Sequence, residues 1–362
     1  MTDAELRDAA WVELTKTTDS YPKWKLRGFP PATGWGRAKS FLDQIGLAPP
    51  PPPPPLPPPP PGSWFGLADP WAGVPFGSRP EGPASAPAGA IRLSGDLGGR
   101  KIGGFKFTNR PNHVNVIAIE NAWNFTLEDI DFENVPEGIY LDGCRDYGIA
   151  RLRAKNIYGA FKRDGFHSGN LIQINSSQAP RFIRDLKVEQ PDTIPTAPNS
   201  FDPTSPGYWG TEDIMNFCGT TGGTTASPFK VERFAFYGGV WQSWSGTGIL
   251  CEGQAHDMWF DNFALVNPGQ VGMGFWSPNV KITNGKIWHD QRSFNSLVDG
   301  RLIQSNQPFQ NNQPGISLGN IKSHFLGGSG LIRGPYGPYV DLGGNDWNAT
   351  LDKATLRAMC VV

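Results

Sequence analysis

Three short stretches set a carboxylate at the head of an apolar run: "EGIY" (Glu137–Tyr140), "DGFH" (Asp164–His167) and "EDIM" (Glu212–Met215). If they begin equivalent strands in stacked turns of chain, Glu137, Asp164 and Glu212 fall in one column. Adjacent members of such a column start about 5 Å apart, and alternate members nearly twice that. Those separations bracket the two carboxylate spacings used in glycoside cleavage. Crowded like charges also raise at least one pKa, which sets a proton donor beside a base. Asp-Gly and Glu-Gly are equally ordinary turn pairs. A second alignment lays "LIQINSSQAPRFI" (from Leu171) on "GILCEGQAHDMWF" (from Gly248). It puts Ile172 and Ile174 in the strand and Asp164 in a loop, and the sequence leaves both alignments open.

Aromatic residues supply a second kind of candidate. Tyr208 and Trp209 fall in "PTSPGYWGTED", and Trp241 and Trp244 in "VWQSWSG", both in long intervals between apolar motifs. Exposed rings there would stack on sugar faces at low entropic cost. With Glu137, these four residues form the expected substrate-binding set. Glu120, Asp142 and Glu252 share the position just after an apolar pair and read as solvated corners.

These residues need a scaffold, and the apolar pattern supplies one. The template Φ-x-x-Φ-x-Φ begins at Ile102, Leu127, Ile149, Ile183, Val231, Phe260 and Ile282, at intervals of 25, 22, 34, 48, 29 and 22 residues. An apolar pair separated by one residue stands seven to nine residues ahead of most copies, namely Ile91/Leu93, Ile117/Ile119, Ile139/Leu141, Ile172/Ile174, Ile249/Cys251 and Met273/Phe275. For the Val231 copy the candidate is Met215/Phe217, with a longer gap. Two residues beyond the template stand Asn109, Asn134, Asn156 and Asn267, far more often than 22 asparagines in 362 residues would place them. Asparagine tolerates the left-handed conformation of a sharp corner, and stacked asparagines can bond one another. Alternation within segments and a recurring period of 22–25 residues predict a right-handed parallel β-helix, with apolar side chains filling the bore and longer intervals ejected as loops. A β-propeller would need intervals of about 40–50 residues throughout.

The rest of the chain divides around this repeat. Residues 1–47 predict a helical hairpin. Thr2 and Glu5 make a capping box, and Trp35, Ala38, Leu42 and Ile45 recur at helical spacing before Gly46. Residues 48–62 hold twelve prolines broken only by Leu56, a polyproline II spacer about 40 Å long. Residues 63–90 are a Gly/Pro/Trp-rich transition and N-terminal cap. The β-helix spans 91–292, and 293–362 add C-terminal coils and a cap, with Thr350 or Asp352 starting a closing helix. A net charge of −1 gives no general attraction to nucleic acid or an anionic membrane. No signal peptide or membrane-spanning run is read at the start. Cys144, Cys218, Cys251 and Cys360 form no C-x-x-C pair and the five histidines no H-x-x-x-H pair. They read as buried free thiols and isolated imidazoles, with neither metal nor cofactor expected.

Two resemblances add to this reading. "KTTDSYPKW" followed by "GFPPATGWGRAKSFLDQI" resembles a module of about 40 residues in minor tail proteins of phages infecting mycobacteria and related actinobacteria. It implies a virion tail component made in the host cytoplasm. Its N-terminal module would dock on other tail proteins, and its β-helix would face host envelope polysaccharide, as a homotrimer. "KRDGFHSGN" with "TEDIMN" resembles the D-G-x-H and acidic-pair pattern of pectinase-like β-helix glycosidases, without their later G-H-G or R-x-K element. It implies Asp164, His167, Glu212 and Asp213 as the catalytic set. A pectinase-like hydrolase or lyase unconnected with virions is the alternative.

Overall fold

The computed structural model describes residues 63–83, 91–110, 115–157, 159–160, 169–190, 209–210, 213–220, 223–224, 226–238, 247–252, 255–267, 271–275, 279–289, 301–305, 316–325 and 339–362. The hairpin expected over 1–47 and the spacer over 48–62 lie outside them.

β1 (Ser63–Trp64) and β2 (Leu67–Ala68) form a short antiparallel pair. β3 (Ile91–Thr108) and β4 (Asn115–Glu133) are long and pair in parallel. Then come β5 (Glu137–Asp142), β6 (Arg145–Lys155), β7 (Gly159–Ala160), β8 (Asn170–Asn175), β9 (Phe182–Glu189), β10 (Trp209–Gly210), β11 (Asp213–Cys218) and β12 (Phe229–Tyr237). The series continues with β13 (Thr247–Glu252), β14 (Met258–Val266), β15 (Val271–Phe275), β16 (Val280–His289), β17 (Arg301–Ser305), β18 (Ile316–Gly319), β19 (Lys322–Phe325) and β20 (Tyr339–Asp341). β5, β8, β11, β13, β15 and β17 stack in parallel on the first half of β4, forming one limb. β6, β9, β12, β14, β16, β18 and β20 stack on its second half, forming another. Successive strands thus feed the two limbs in turn, an arrangement consistent with a parallel β-helix. The described residues are nearly all-β, and their one helix is α1 (Lys353–Cys360), N-capped by Asp352.

The apolar template lies in the second limb, and its two-residue gap has a conformational cause. The third position is left-handed in every copy: Gly104, Asp129, Arg151, Asp185, Arg233, Asn262 and Asn284. One such residue re-aims the strand, so the apolar residues on both sides of it point inward. An eighth copy, Leu318–Ser323, lies in register with Ile282–Ile287, and Asn320 is its left-handed residue. Ser323, fully buried where the template wants an apolar side chain, hid this copy from the sequence reading. Parallel pairing accordingly continues past residue 292, through β17, β18 and β20.

The asparagines after the template stand in register. Asn134 Nδ2 donates to Asn109 Oδ1 and Asn156 Nδ2 to Asn134 Oδ1, both at 2.8 Å. All three are left-handed, and each backbone N–H donates to the carbonyl at the end of the next strand. Gln190 takes the next place and turns instead to Ile157, accepting from its N–H at 2.8 Å and donating to its carbonyl at 2.6 Å. Gly238 and Asn267 continue the backbone series. Inside, rings of successive turns stack, as in Phe107–Phe132 at 5.8 Å and Phe234–Phe263 at 5.1 Å.

A second apolar cluster lies outside the second limb. Trp64, Trp71, Leu356 and Cys360 pack on Ala235, Tyr237, Ala264, Val266 and Trp288. Residues 63–82 therefore run along this limb's outer face, and only their end meets the first turn. There Gly82 N–H donates to Lys106 O at 2.7 Å, and a Cβ on Gly82 would strike the Phe107 ring at 2.2 Å. Lys187 Nζ lies 4.6 and 4.8 Å from the Trp64 and Trp71 rings and 3.6 Å from Asp69. Asp131, 1% exposed, accepts from Arg153 and Arg79, both at 2.8 Å, and from Gly77 N–H at 3.0 Å.

Two outcomes are expected. Asn134→Ala removes both ladder bonds and forces alanine into the left-handed region, costing about 2 kcal/mol in urea unfolding, whereas Asn134→Gly costs about half that. Asp129 accepts from Arg151 Nε at 3.0 Å and Nη2 at 2.6 Å, and chiefly these bonds hold its carboxyl below the ordinary 3.8. A depressed folded value means the contribution is complete above 3.8 and is lost as pH falls through the folded value. The melting temperature of Arg151→Gln should therefore fall less than that of the unaltered chain between about pH 5 and pH 2.

Candidate functional site

The outward face of the first limb carries polar side chains, some of them buried. Inward positions on its strands are apolar and essentially fully buried: Ile117/Ile119, Ile139/Leu141, Ile172/Ile174, Met215/Phe217, Ile249/Cys251 and Met273/Phe275. Strand alternation sends the residues between and after them outward. Ala118, Tyr140, Gln173, Asn216, Leu250 and Gly274 form one outward column. Glu120, Asp142, Asn175, Cys218 and Glu252 form the next. The corner follows at once, with Asn121, Gly143, Ser176 and Gly219 left-handed. At Gly143 φ is +63° and a Cβ would lie 2.6 Å from Asn121 Oδ1, so a side chain there would have to displace the Asn121 carboxamide.

Side-chain bonds tie the two columns together. Asn170 Nδ2 donates to Gln173 Oε1, Gln173 Nε2 to Asn175 Oδ1, and Asn175 Nδ2 to the Tyr140 hydroxyl, each at 3.3 Å. Asn216 Nδ2 donates to Asp213 Oδ2 and to Glu252 Oε1, again at 3.3 Å. The two carboxylate oxygens are therefore no further apart than twice that distance, on adjacent strands. Asp213 is 1% exposed and Asn216 4%, while Glu252 is half-buried. Asn216 Oδ1 has no donor among the described residues. Burial raises the Tyr140 hydroxyl pKa, and Asp142 and Glu120 add to the effect. Burial, then Glu252, likewise raises the Cys218 thiol, which stays protonated and is no activated nucleophile.

The strand register decides between the two alignments. Glu137 pairs with Asn170 and Ile139 with Ile172, so the place opposite Glu137 is not Asp164's. On the next strand Asp213 meets Asn170, its N–H donating to Asn170 Oδ1 at 2.9 Å. The column is thus Glu137–Asn170–Asp213 rather than Glu137–Asp164–Glu212. The cause is hydrophobic: the first alignment would have turned the Ile172/Ile174 pair out of the core. Asp164, His167, Glu212, Tyr208, Trp241 and Trp244 lie outside the described residues, and Trp209 is described only as backbone, paired with Ala160. Of the expected site residues, Glu137 and Asp213 stand on this face.

Sequence reasoning missed Glu252 as a partner for Asp213, and it missed Tyr140, Gln173 and Asn216. The signal was available, since each sits between or just after the residues of an inward apolar pair. Among the described residues no three His, Cys, Asp or Glu side chains form a metal cluster. Two carboxylates flanking one amide at this separation can act as a proton donor and its conjugate partner. No family model, curated protein or solved structure matches this chain.

Asn216→Leu should leave the Asp213 and Glu252 oxygens facing each other without their shared donor. A stability loss of about 1–3 kcal/mol by thermal or urea unfolding is the expected result.

Proposed function

We propose that this chain is a right-handed parallel β-helix of the pectin-lyase-like kind, carried in a phage tail, whose first-limb face contacts and cleaves host envelope glycan. The observation that carries the reading is the Asp213–Asn216–Glu252 arrangement on an outward sheet face. A stack of parallel strands offers a long, regular surface suited to a polymer. Tyr140 and Gln173, one and two strands before Asn216, would extend the contact along it. Asp213 and Glu252 would serve as acid and base across the scissile bond, with Asn216 fixing their separation. The tail-module resemblance of about 40 residues within the first 47 supports attachment to a virion. The proline run would then hold the β-helix away from its anchor, and three chains would make one spike.

The test is release of reducing ends from host envelope polysaccharide by the purified chain. Asp213→Asn and Glu252→Gln should each lower the rate about 100-fold, the usual scale of acid–base assistance. Their melting temperatures serve as the control for folding. Asp164→Asn and Glu212→Gln in the same assay report on the residues expected from the pectinase-like pattern. Full activity in both Asp213→Asn and Glu252→Gln removes the assignment, and no release above a boiled control leaves adhesion alone. Antibody labelling of virions separates a tail component from a free enzyme.

A further inference from the structure

We infer that the first-limb face takes a glycan without negative charge, and prefers one bearing free amines. This rests on the glycan reading above and narrows it to a chemical class.

Charge comes first. The six strand segments that form this face from residue 115 to 275 contain no lysine, arginine or histidine, and the first basic residue of the limb is Arg301, at the start of β17. They carry Glu120, Glu137, Asp142, Asp213 and Glu252. The neighbouring β3 adds Arg92, whose guanidinium lies 3.8 Å from Glu120. Cations cluster instead on the other limb, where Arg153, Lys187, Lys230 and Arg233 sit in ion pairs. A uronate, sulfate or phosphate laid along the first limb would meet carboxylates on β4, β5, β11 and β13 and no lysine, arginine or histidine on those strand segments.

Hydrogen-bond polarity points the same way. Each of four carboxamide nitrogens on this face, those of Asn170, Gln173, Asn175 and Asn216, donates to a neighbour within the face. Asn216 spends both of its hydrogens, on Asp213 and Glu252, and keeps an Oδ1 with no donor among the described residues. What the face has left to offer is mostly acceptors. Hydroxyls and ammonium groups donate, whereas anionic substituents demand donors in return.

The experiment uses the full chain and the polysaccharide of the cleavage assay. Anion exchange divides it into unretained and retained fractions, part of the unretained fraction is chemically N-deacetylated, and all three are immobilised. The expected order is deacetylated above unretained above retained. The first gap should be about tenfold in Kd at low ionic strength and shrink as salt is added. Asp142→Asn together with Glu120→Gln, both outside the proposed acid–base pair, should raise binding to the retained fraction and flatten the salt dependence. Preference of the unaltered chain for the retained fraction overturns the inference while leaving the glycan reading intact. Binding to none of the three overturns the glycan reading itself, and this inference with it.

Discussion

The corner residues are the constraint on which this structure depends. A stacked sheet keeps its core only if every turn brings its apolar residues back over those of the last. Left-handed residues make that return possible at defined points: Asn121, Gly143, Ser176 and Gly219 after the first limb, and Asn109, Asn134, Asn156 and Asn267 after the second. A left-handed backbone is unfavourable for most side chains, which is why Asn, Asp and Gly recur at these places. The Asn109–Asn134–Asn156 ladder then locks neighbouring corners together through side chains as well as backbone. Where Gln190 breaks the series, Asn156 Oδ1 is left buried and unpaired, marking the end of the ladder.

Given the stack, its two limbs meet different fates. The second limb's outer face is covered by residues 63–82 and α1, held by the Lys187–Trp64–Trp71 contacts, by Asp131 and by the outer apolar cluster. Its polar side chains are spent on structure: buried Arg153 satisfies Asp131 and two backbone carbonyls. The first limb has no comparable cover among the described residues. Its outward columns hold polar side chains that bond chiefly to one another, and the candidate site lies there.

Much of this fold was legible in the sequence because burial is periodic. Ile139/Leu141 or Leu127–Phe132 declares an inward position whatever lies beside it, and Asn134 or Asn156 declares a corner. The left-handed third position of the template was not legible, since Arg151 and Arg233 occupy it as well as Gly104 and Asn284. Ion pairs make arginine tolerable there, with Arg233 bonding Asp185 at 2.7 Å and Arg151 bonding Asp129. The site was only partly legible for a related reason. The acidic turn motifs suggested that carboxylates set the register, but burying an Ile172/Ile174 pair outweighs aligning an Asp-Gly turn. Asp213 was recognised within its motif. Glu252 was read as a corner because its place just after the Ile249/Cys251 pair marks it as outward without revealing that Asn216 reaches it from the adjacent strand.

The first limb departs from local rules in one region, and the departure is informative. A face built for stability alone would not gather five carboxylates without an intervening lysine or arginine. Nor would it bury Asp213 beside an amide whose oxygen has no donor. Both choices cost stability, the first through like-charge repulsion and the second through an unmade hydrogen bond. Elsewhere the protein meets the same problems conventionally, pairing Asp131 with Arg153, Asp185 with Arg233 and Asp261 with Lys230. On the first limb, by contrast, the strands that carry Glu120, Glu137, Asp142, Asp213 and Glu252 supply no lysine or arginine of their own. Sites where consistent local choices fail within an otherwise consistent structure are where function is expected. On this stack the two departures meet in the Asp213–Asn216–Glu252 neighbourhood and the acidic column beside it.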